Sequence, residues 1–174
     1  MQPLANPSRE SSPSGLGGPQ SPPPALRILI SGVSGTIGQG LLARAPARGW
    51  RVIRLVRREA QTDQEVSWSP DQGRIDAAAL RRAAPEAVVH LAGESVFGWW
   101  SRAKRRRILA SRVDATRLLV DALGELETPP RVLASASAVG FYGDVGDVEV
   151  DQSAPAGGGV LSRGGRRGGG RAPR

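Results

Sequence analysis

Three glycines at regular spacing are the residues whose pattern first suggests chemistry. Gly32, Gly35 and Gly38 follow a short apolar run at residues 26–31 and open a helical pattern at residues 36–45. In this setting the glycines permit a tight turn, close approach of backbone to a pyrophosphate, and close packing of helix on strand. The helix dipole and its free N–H groups attract the phosphates. The pattern predicts dinucleotide binding by Gly32, Ser34, Gly35, Thr36, Ile37 and Gly38; the alternative is a structural turn in a non-binding α/β domain.

Two arginines follow the next apolar run. Residues 50–56 read as a strand, and Arg57 and Arg58 come directly after it, with the nearest acid at Glu59. An acid at the end of this strand binds the adenosine ribose of NAD, whereas an arginine accommodates the 2′-phosphate of NADP. We therefore expect Arg57 and Arg58 to bind NADP, with NAD as the second choice. If both side chains only face solvent, neither preference follows.

Strands and helices alternate along the sequence, as the placement of these motifs requires. Apolar runs predict strands at residues 26–31, 50–56, 66–68, 87–92 and 131–136. Helical patterns predict helices at residues 36–45, 77–84 and 102–123, of which the first should end or kink before Pro46. This order is typical of the α/β class. We expect a Rossmann-like doubly wound parallel sheet, truncated after about the fifth strand.

Composition divides the chain into three parts. Residues 1–25 are rich in Ser, Pro and Gly and predict a disordered extension; residues 26–158 hold the nucleotide-binding domain. Residues 159–174 form a Gly/Arg-rich tail that we expect to be disordered. Two interpretations of the tail stay open: a genuine basic segment, or an out-of-frame translation after about Leu161.

Charge and composition exclude several function classes. The net charge is +8, but much of it lies in the tail, and no interleaved aromatics accompany it, so nucleic-acid binding is disfavoured. The absence of cysteine excludes disulfides and thiolate metal sites, and we expect no metal. No apolar run reaches 18 residues, which disfavours a membrane span. We expect a cytoplasmic protein, with organellar targeting left open.

Six segments together resemble the atypical extended short-chain dehydrogenases/reductases, in the branch called epimerase family proteins. The matching segments are residues 30–38, 56–58, 66–70, 88–95, 108–113 and 135–144. The resemblance covers about residues 26–158 and corresponds to the N-terminal half of such a protein. It implies an NAD(P)-dependent oxidoreductase or epimerase acting on a small molecule that the sequence does not identify.

The resemblance also implies roles for residues beyond the glycine motif. Leu91, Ala92, Gly93 and Glu94 correspond to the strand end beside the adenosine and ribose of the cofactor. Ser137 is the candidate catalytic residue, because related enzymes place there a hydroxyl that binds the substrate oxygen; a hydroxyl bonded to local backbone is the alternative. His90, inside an apolar strand, is interpreted as a core residue rather than a catalytic one.

One feature of the wider superfamily is missing. Its standard members use a Tyr-x-x-x-Lys pair, in which the tyrosine is the acid/base and the lysine lowers its pKa, but the chain has one tyrosine, Tyr142, and Gly146 stands four residues later. Two functions therefore stay open: the cofactor half of an oxidoreductase or epimerase, and a non-enzymatic NADP-binding or redox-sensing module.

Overall fold

A six-stranded sheet organises the chain in a computed structural model that describes residues 25–159 and 161–162. The strands are β1 Arg27–Ser31, β2 Arg51–Val56, β3 Glu65–Ser69, β4 Arg74–Ile75, β5 Ala87–His90 and β6 Val132–Ser135. Their spatial order is β4-β3-β2-β1-β5-β6. All neighbouring strands pair in parallel except β3 and β4. The prediction of a Rossmann-like α/β fold is confirmed.

The strand order places a topological switch at β1. The chain leaves β1 towards β2 on one side, and β5 later joins β1 on the other side, with Ser31 level with both Leu55 and His90. Crevices outside the carboxyl ends of such strands are where open α/β sheets bind ligands. The glycine motif follows β1 and therefore lies at this crevice.

Three helices connect the parallel strands: α1 Thr36–Arg44, α2 Ala77–Ala83 and α3 Arg102–Gly124. The predicted end of α1 before Pro46 is confirmed, since a 3₁₀ turn, Pro46–Arg48, begins there. Asp76 caps α2 by accepting a 2.8 Å hydrogen bond from the Ala79 N–H. Helix boundaries thus follow local side-chain chemistry that is visible in the sequence.

The main hydrophobic core lies between the sheet and α2 and α3. Its members come from β1, β2, β3, β5, these two helices and the residues just after α3: Leu29, Ile53, Leu55, Val66, Trp68, Ala79, Leu80, Val88, Ala115, Leu119, Leu123 and Leu126. Side chains alternate along a strand, so Ile28 and Ile30, which are also buried, face the other side of the sheet. Because right-handed crossovers run from β1 to β2 and from β5 to β6 in opposite directions, α1 covers that second face.

The sequence did not predict β4. Gly73, with φ +63°, ends a 3₁₀ turn at Pro70–Gln72 and reverses the chain, so that Trp68 pairs with Ile75. Two residues are too few to produce a recognisable period. The strand predicted at residues 87–92 stops at His90. The Leu91 N–H is shared between the carbonyl and the hydroxyl of Ser31, and the Ala92 N–H donates to the hydroxyl.

The sequence predicts disorder for residues 1–25 and 159–174. Apart from residues 25, 159, 161 and 162, these lie outside the residues that the structure describes. At the C-terminal margin Ser162 is buried and its hydroxyl donates to the Gly157 carbonyl. Within the described residues, no helix is both long and apolar enough to cross a bilayer.

Ser31 and His90 form a buried polar link between β1 and β5. The Ser31 hydroxyl oxygen accepts hydrogen bonds of 3.1 Å from both the Leu91 and Ala92 N–H groups and lies 2.7 Å from His90 Nδ1. Two accepted bonds use both lone pairs of the oxygen, so its hydrogen is donated to Nδ1. His90 is therefore neutral, and it is 3% exposed and edge-on to Trp68. Its interpretation as a core residue is confirmed.

This burial makes folding stability depend on pH. Burial lowers the pKa of His90 to about 4 from an ordinary value of 6.5. The unfolded chain binds the proton first, so stability is full above pH 6.5 and falls as the pH drops towards 4. We expect a loss of about 2 kcal/mol between pH 7 and pH 5 in chemical denaturation. A His90→Gln variant should be less stable at pH 7 but show a flatter profile in this window; an equally steep profile would contradict the assignment.

Candidate functional site

The glycine loop is built by contacts that leave no room for side chains at two of its three glycines. Gly32 has φ +71°, and a Cβ there would lie 2.8 Å from the backbone nitrogen of Ala92. A Cβ at Gly38 would lie 2.5 Å from the carbonyl oxygen of Gly32. At Gly35 the nearest atom would be 3.4 Å away, an ordinary contact distance, and φ is −79°, so a side chain can be accommodated there. The first and third glycines serve the fold, while the second keeps space clear in the crevice.

The N-terminus of α1 lacks the usual capping group. Gly35 is the N-cap residue, no side chain bonds to the first turn, and that turn carries no acid. The first-turn N–H groups of a helix have no intrahelical acceptor, and the helix dipole makes this end positive. An anionic group entering the crevice would satisfy these donors.

A crevice of about 580 Å³ lies outside the carboxyl ends of β1, β2 and β5. Nine of the predicted binding residues line it: Gly32, Ser34, Gly35, Arg57, Arg58, Leu91, Ala92, Gly93 and Glu94. Three others begin α1 without lining the crevice. Gly38 is buried beneath the loop, and Ile37 is 66% exposed; Thr36 is exposed as well.

The two arginines after β2 differ in their contacts. Arg58 makes two 2.8 Å hydrogen bonds to the two oxygens of Glu65, whose side chain is 1% exposed. Arg57 is exposed, and it makes no hydrogen bond or ion pair within the described part of the chain. The Arg58 guanidinium is therefore occupied by Glu65, whereas the Arg57 guanidinium is available to a ligand.

Glu94 lies on the β5 side of the crevice and, like Glu65 on the β2 side, is a carboxylate paired with cations. Its carboxylate lies 3.0 Å from Lys104 Nζ and 3.3 Å from Arg107 Nε, and hydrogen bonds from these cations lower its pKa. Its backbone N–H donates to Ser111 Oγ, and its carbonyl accepts from Arg112. Two cations in the first two turns of α3 therefore hold this loop against the helix.

Sequence reasoning missed several residues that line the crevice. They are Val33, Leu55, Val56, Trp68, Pro70, Asp71, Ser111 and Ala115. Most lie on β2, on β3 and the turn after it, or on α3, and their patterns indicated only core or solvent-facing positions. Trp68 carried a usable signal, since it ends an apolar run and is followed by Ser69-Pro70, but the pattern gave no direction for the ring.

The candidate catalytic serine lies elsewhere. Ser137 is exposed and does not line the crevice, so its role stays a prediction. Tyr142 is half-buried, with its ring edge-on to Phe141. No group of three or more metal-binding side chains occurs among the residues that the structure describes.

Comparison with known proteins places this geometry in context. An epimerase family protein of Mycobacterium bovis is 36% identical over 137 residues, which are 78% of this chain and 44% of that protein. A human epimerase family protein, SDR39U1 isoform 2 solved with NADPH, superposes with a TM-score of 0.70 at 24% identity, covering 86% of this chain and 50% of the human one. A short-chain dehydrogenase/reductase superfamily protein of Agrobacterium tumefaciens with bound NAD gives 0.62 at 26% identity, covering 83% and 43%.

The chain thus spans about half the length, or less, of these relatives. The sequence profile described as the NAD dependent epimerase/dehydratase family matches residues 28–158, which is most of the chain. This extent agrees with the region of resemblance found in the sequence. The chain belongs to the NAD-dependent epimerase/dehydratase family, of which it carries an N-terminal portion.

Proposed function

We propose that residues 26–158 are the NADP(H)-binding portion of a short-chain dehydrogenase-like or epimerase-like oxidoreductase with a small-molecule substrate. The observation that carries this proposal is the uncapped N-terminus of α1, which opens with Gly35 at the crevice. Donors without acceptors at the positive end of a helix fit a pyrophosphate. The relatives solved with NADPH and with NAD support a nicotinamide dinucleotide as the ligand.

The chain's own residues suggest how such a ligand is held. We place the pyrophosphate at the glycine loop and the adenosine half between the end of β2 and the Trp68 side of the crevice. The exposed cation at Arg57 supports a 2′-phosphate on that half, and hence NADP over NAD. The nicotinamide half then points past Gly93 towards Glu94, whose loop is fixed to α3 by Lys104 and Ser111.

A nicotinamide dinucleotide supplies hydride transfer when bound. The residues described above bind and orient it, and the Ser31 hydroxyl keeps the two loops that flank it at a fixed separation. Ser137 stays the candidate for binding a substrate oxygen, and its exposure leaves its hydroxyl accessible.

A non-enzymatic NADP-binding or redox-sensing module is the second candidate. The specific observation in its favour is the lack of a tyrosine–lysine pair: Gly146 stands four residues after Tyr142. Ser137 also lies outside the crevice lining. Turnover separates the two candidates, since both require dinucleotide binding.

The first prediction concerns cofactor choice. Charge-assisted contacts with a 2′-phosphate contribute about 1.5–3 kcal/mol, which corresponds to at least about tenfold in affinity. NADPH should therefore bind the full chain at least about tenfold more tightly than NADH in a fluorescence or calorimetric titration. Equal affinities would remove the case for NADP, and no binding of either would remove the proposal.

The second prediction separates the glycine that faces the ligand from the one that supports the fold. Gly35→Leu should abolish binding of NADPH and NADH while preserving the thermal transition, because its side chain enters open crevice. Gly38→Leu should disrupt folding itself, because its Cβ meets the Gly32 carbonyl. Gly40→Ala, inside α1, is the matched control and should keep binding. Tight binding by a folded Gly35→Leu protein would refute this location for the pyrophosphate.

The third prediction concerns activity. The 174-residue chain should show no reductase or epimerase turnover, since it lacks the tyrosine–lysine pair and spans less than half of its bacterial relative. The measurement is loss of reduced-nicotinamide absorbance with a panel of carbonyl substrates, alongside product analysis for epimerisation. Steady turnover by the purified chain would contradict the expectation and favour the enzymatic function outright.

A further inference from the structure

The loop between β2 and β3 is organised around one buried carboxylate. Glu65 opens β3, and its side chain is 1% exposed. It accepts both hydrogen bonds from Arg58 at 2.8 Å and one from the Gln61 N–H at 2.8 Å, and it lies 3.1 Å from Arg54 Nη2. These contacts, with the Arg58 bonds foremost, lower the pKa of Glu65 to about 2, so the carboxylate is charged at any physiological pH.

This carboxylate fixes where the Arg58 guanidinium can be. A bidentate pair matches the planar fork of arginine to both carboxylate oxygens, which sets orientation as well as distance. A further 2.8 Å bond to the Glu59 carbonyl holds the same guanidinium from another side. Moving Arg58 onto a ligand would leave a buried charge with weaker compensation, which is strongly unfavourable.

Arg57 differs from Arg58 in its contacts, although both arginines line the crevice and both are exposed. Within the described chain, Arg57 has no ion pair or hydrogen bond that a ligand would have to replace. The loop that carries it is rigid at several points: the Ala60 N–H donates to Ser67 Oγ at 2.7 Å, and the Gln61 N–H donates to Glu65. A cation presented by an anchored loop loses little freedom on binding an anion.

We propose that Glu65 is a positioning residue for cofactor selection, which keeps the Arg58 guanidinium paired with its own carboxylate and leaves Arg57 to contact the 2′-phosphate of NADP(H). The inference rests on the proposed NADP function. The inference assigns different roles to two neighbouring arginines that the sequence treats alike. Arg57 determines specificity, and Arg58 stabilises the loop. Glu65 limits the positive charge that the adenosine end presents.

The test measures discrimination rather than affinity alone. For each full-length variant, the ratio of the dissociation constants of NADH and NADPH is determined, with adenosine 5′-phosphate and adenosine 2′,5′-bisphosphate as probes of the adenosine half. Arg57→Ala should reduce the ratio at least about tenfold. The matched Arg58→Ala change should weaken both ligands together and leave the ratio within about threefold, since only loop order is lost.

The Glu65→Gln variant separates a positioning role from a merely structural one. A structural role alone would not raise the ratio of the NADH and NADPH dissociation constants. Removing one buried negative charge and releasing Arg58 should raise the ratio about twofold or more. The double variant Glu65→Gln with Arg58→Ala should return it to the wild-type value. Thermal melting checks folding, and if Glu65→Gln does not fold, the comparison of Arg57→Ala with Arg58→Ala decides alone.

Two kinds of failure can be told apart. Wild-type protein that binds NADPH and NADH equally refutes the proposed NADP preference and this inference with it. Wild-type protein that prefers NADPH, with the preference kept in Arg57→Ala or lost equally in Arg58→Ala, refutes this inference alone. A Glu65→Gln variant whose ratio falls as far as that of Arg57→Ala also refutes it, because Glu65 would then position Arg57 instead.

Discussion

The close approach of the β1 and β5 loops is the constraint on which the rest of the site depends. Gly32 takes a left-handed conformation, and a Cβ at this position would lie 2.8 Å from the backbone nitrogen of Ala92, so only glycine is tolerated. Ser31, one residue earlier, bridges the same gap with a hydroxyl that accepts two backbone N–H groups. The Leu91 N–H also reaches the Ser31 carbonyl, and the hydroxyl supplies the acceptor for the Ala92 N–H, so the chain can diverge into a crevice without leaving these backbone donors unpaired.

Two carboxylates organise the flanks of that crevice in the same way. Glu65 on the adenosine side and Glu94 on the β5 side each engage two cationic side chains and have a lowered pKa. Each carboxylate fixes the position of its cationic partners and neutralises charge that would otherwise attract anions. The charge left for a ligand is therefore smaller than the number of arginines suggests, and it is concentrated at the α1 N-terminus and Arg57.

Burial supports these polar contacts from below. Trp68 packs in the main core and also lines the crevice, and it meets the His90 ring edge-on at 5.9 Å. His90 in turn accepts the hydrogen bond that the Ser31 hydroxyl donates. A change in core packing at Trp68 would thus alter the separation of the β1 and β5 loops through the Trp68–His90 and His90–Ser31 contacts. The geometry of the site therefore depends on packing within the sheet.

The sequence by itself determined the order of the five parallel strands and the three helices between them, the strand–turn–helix setting of Gly32, Gly35 and Gly38, and the end of α1 before Pro46. These features depend on contacts between residues close in the chain, where side-chain type fixes backbone conformation. It also placed most of the crevice lining, because strand ends in a parallel sheet share one edge.

Only the tertiary structure decided what depends on partners distant in sequence or on the direction of a side chain. Arg57 and Arg58 are identical and adjacent, yet one meets Glu65 across the loop and the other faces solvent. Trp68 and Ser111 join the crevice through the packing of β3 and α3, and β4 exists because Gly73 reverses the chain against β3. A sequence pattern gives the face and the order of elements, but the geometry of packing determines which groups meet.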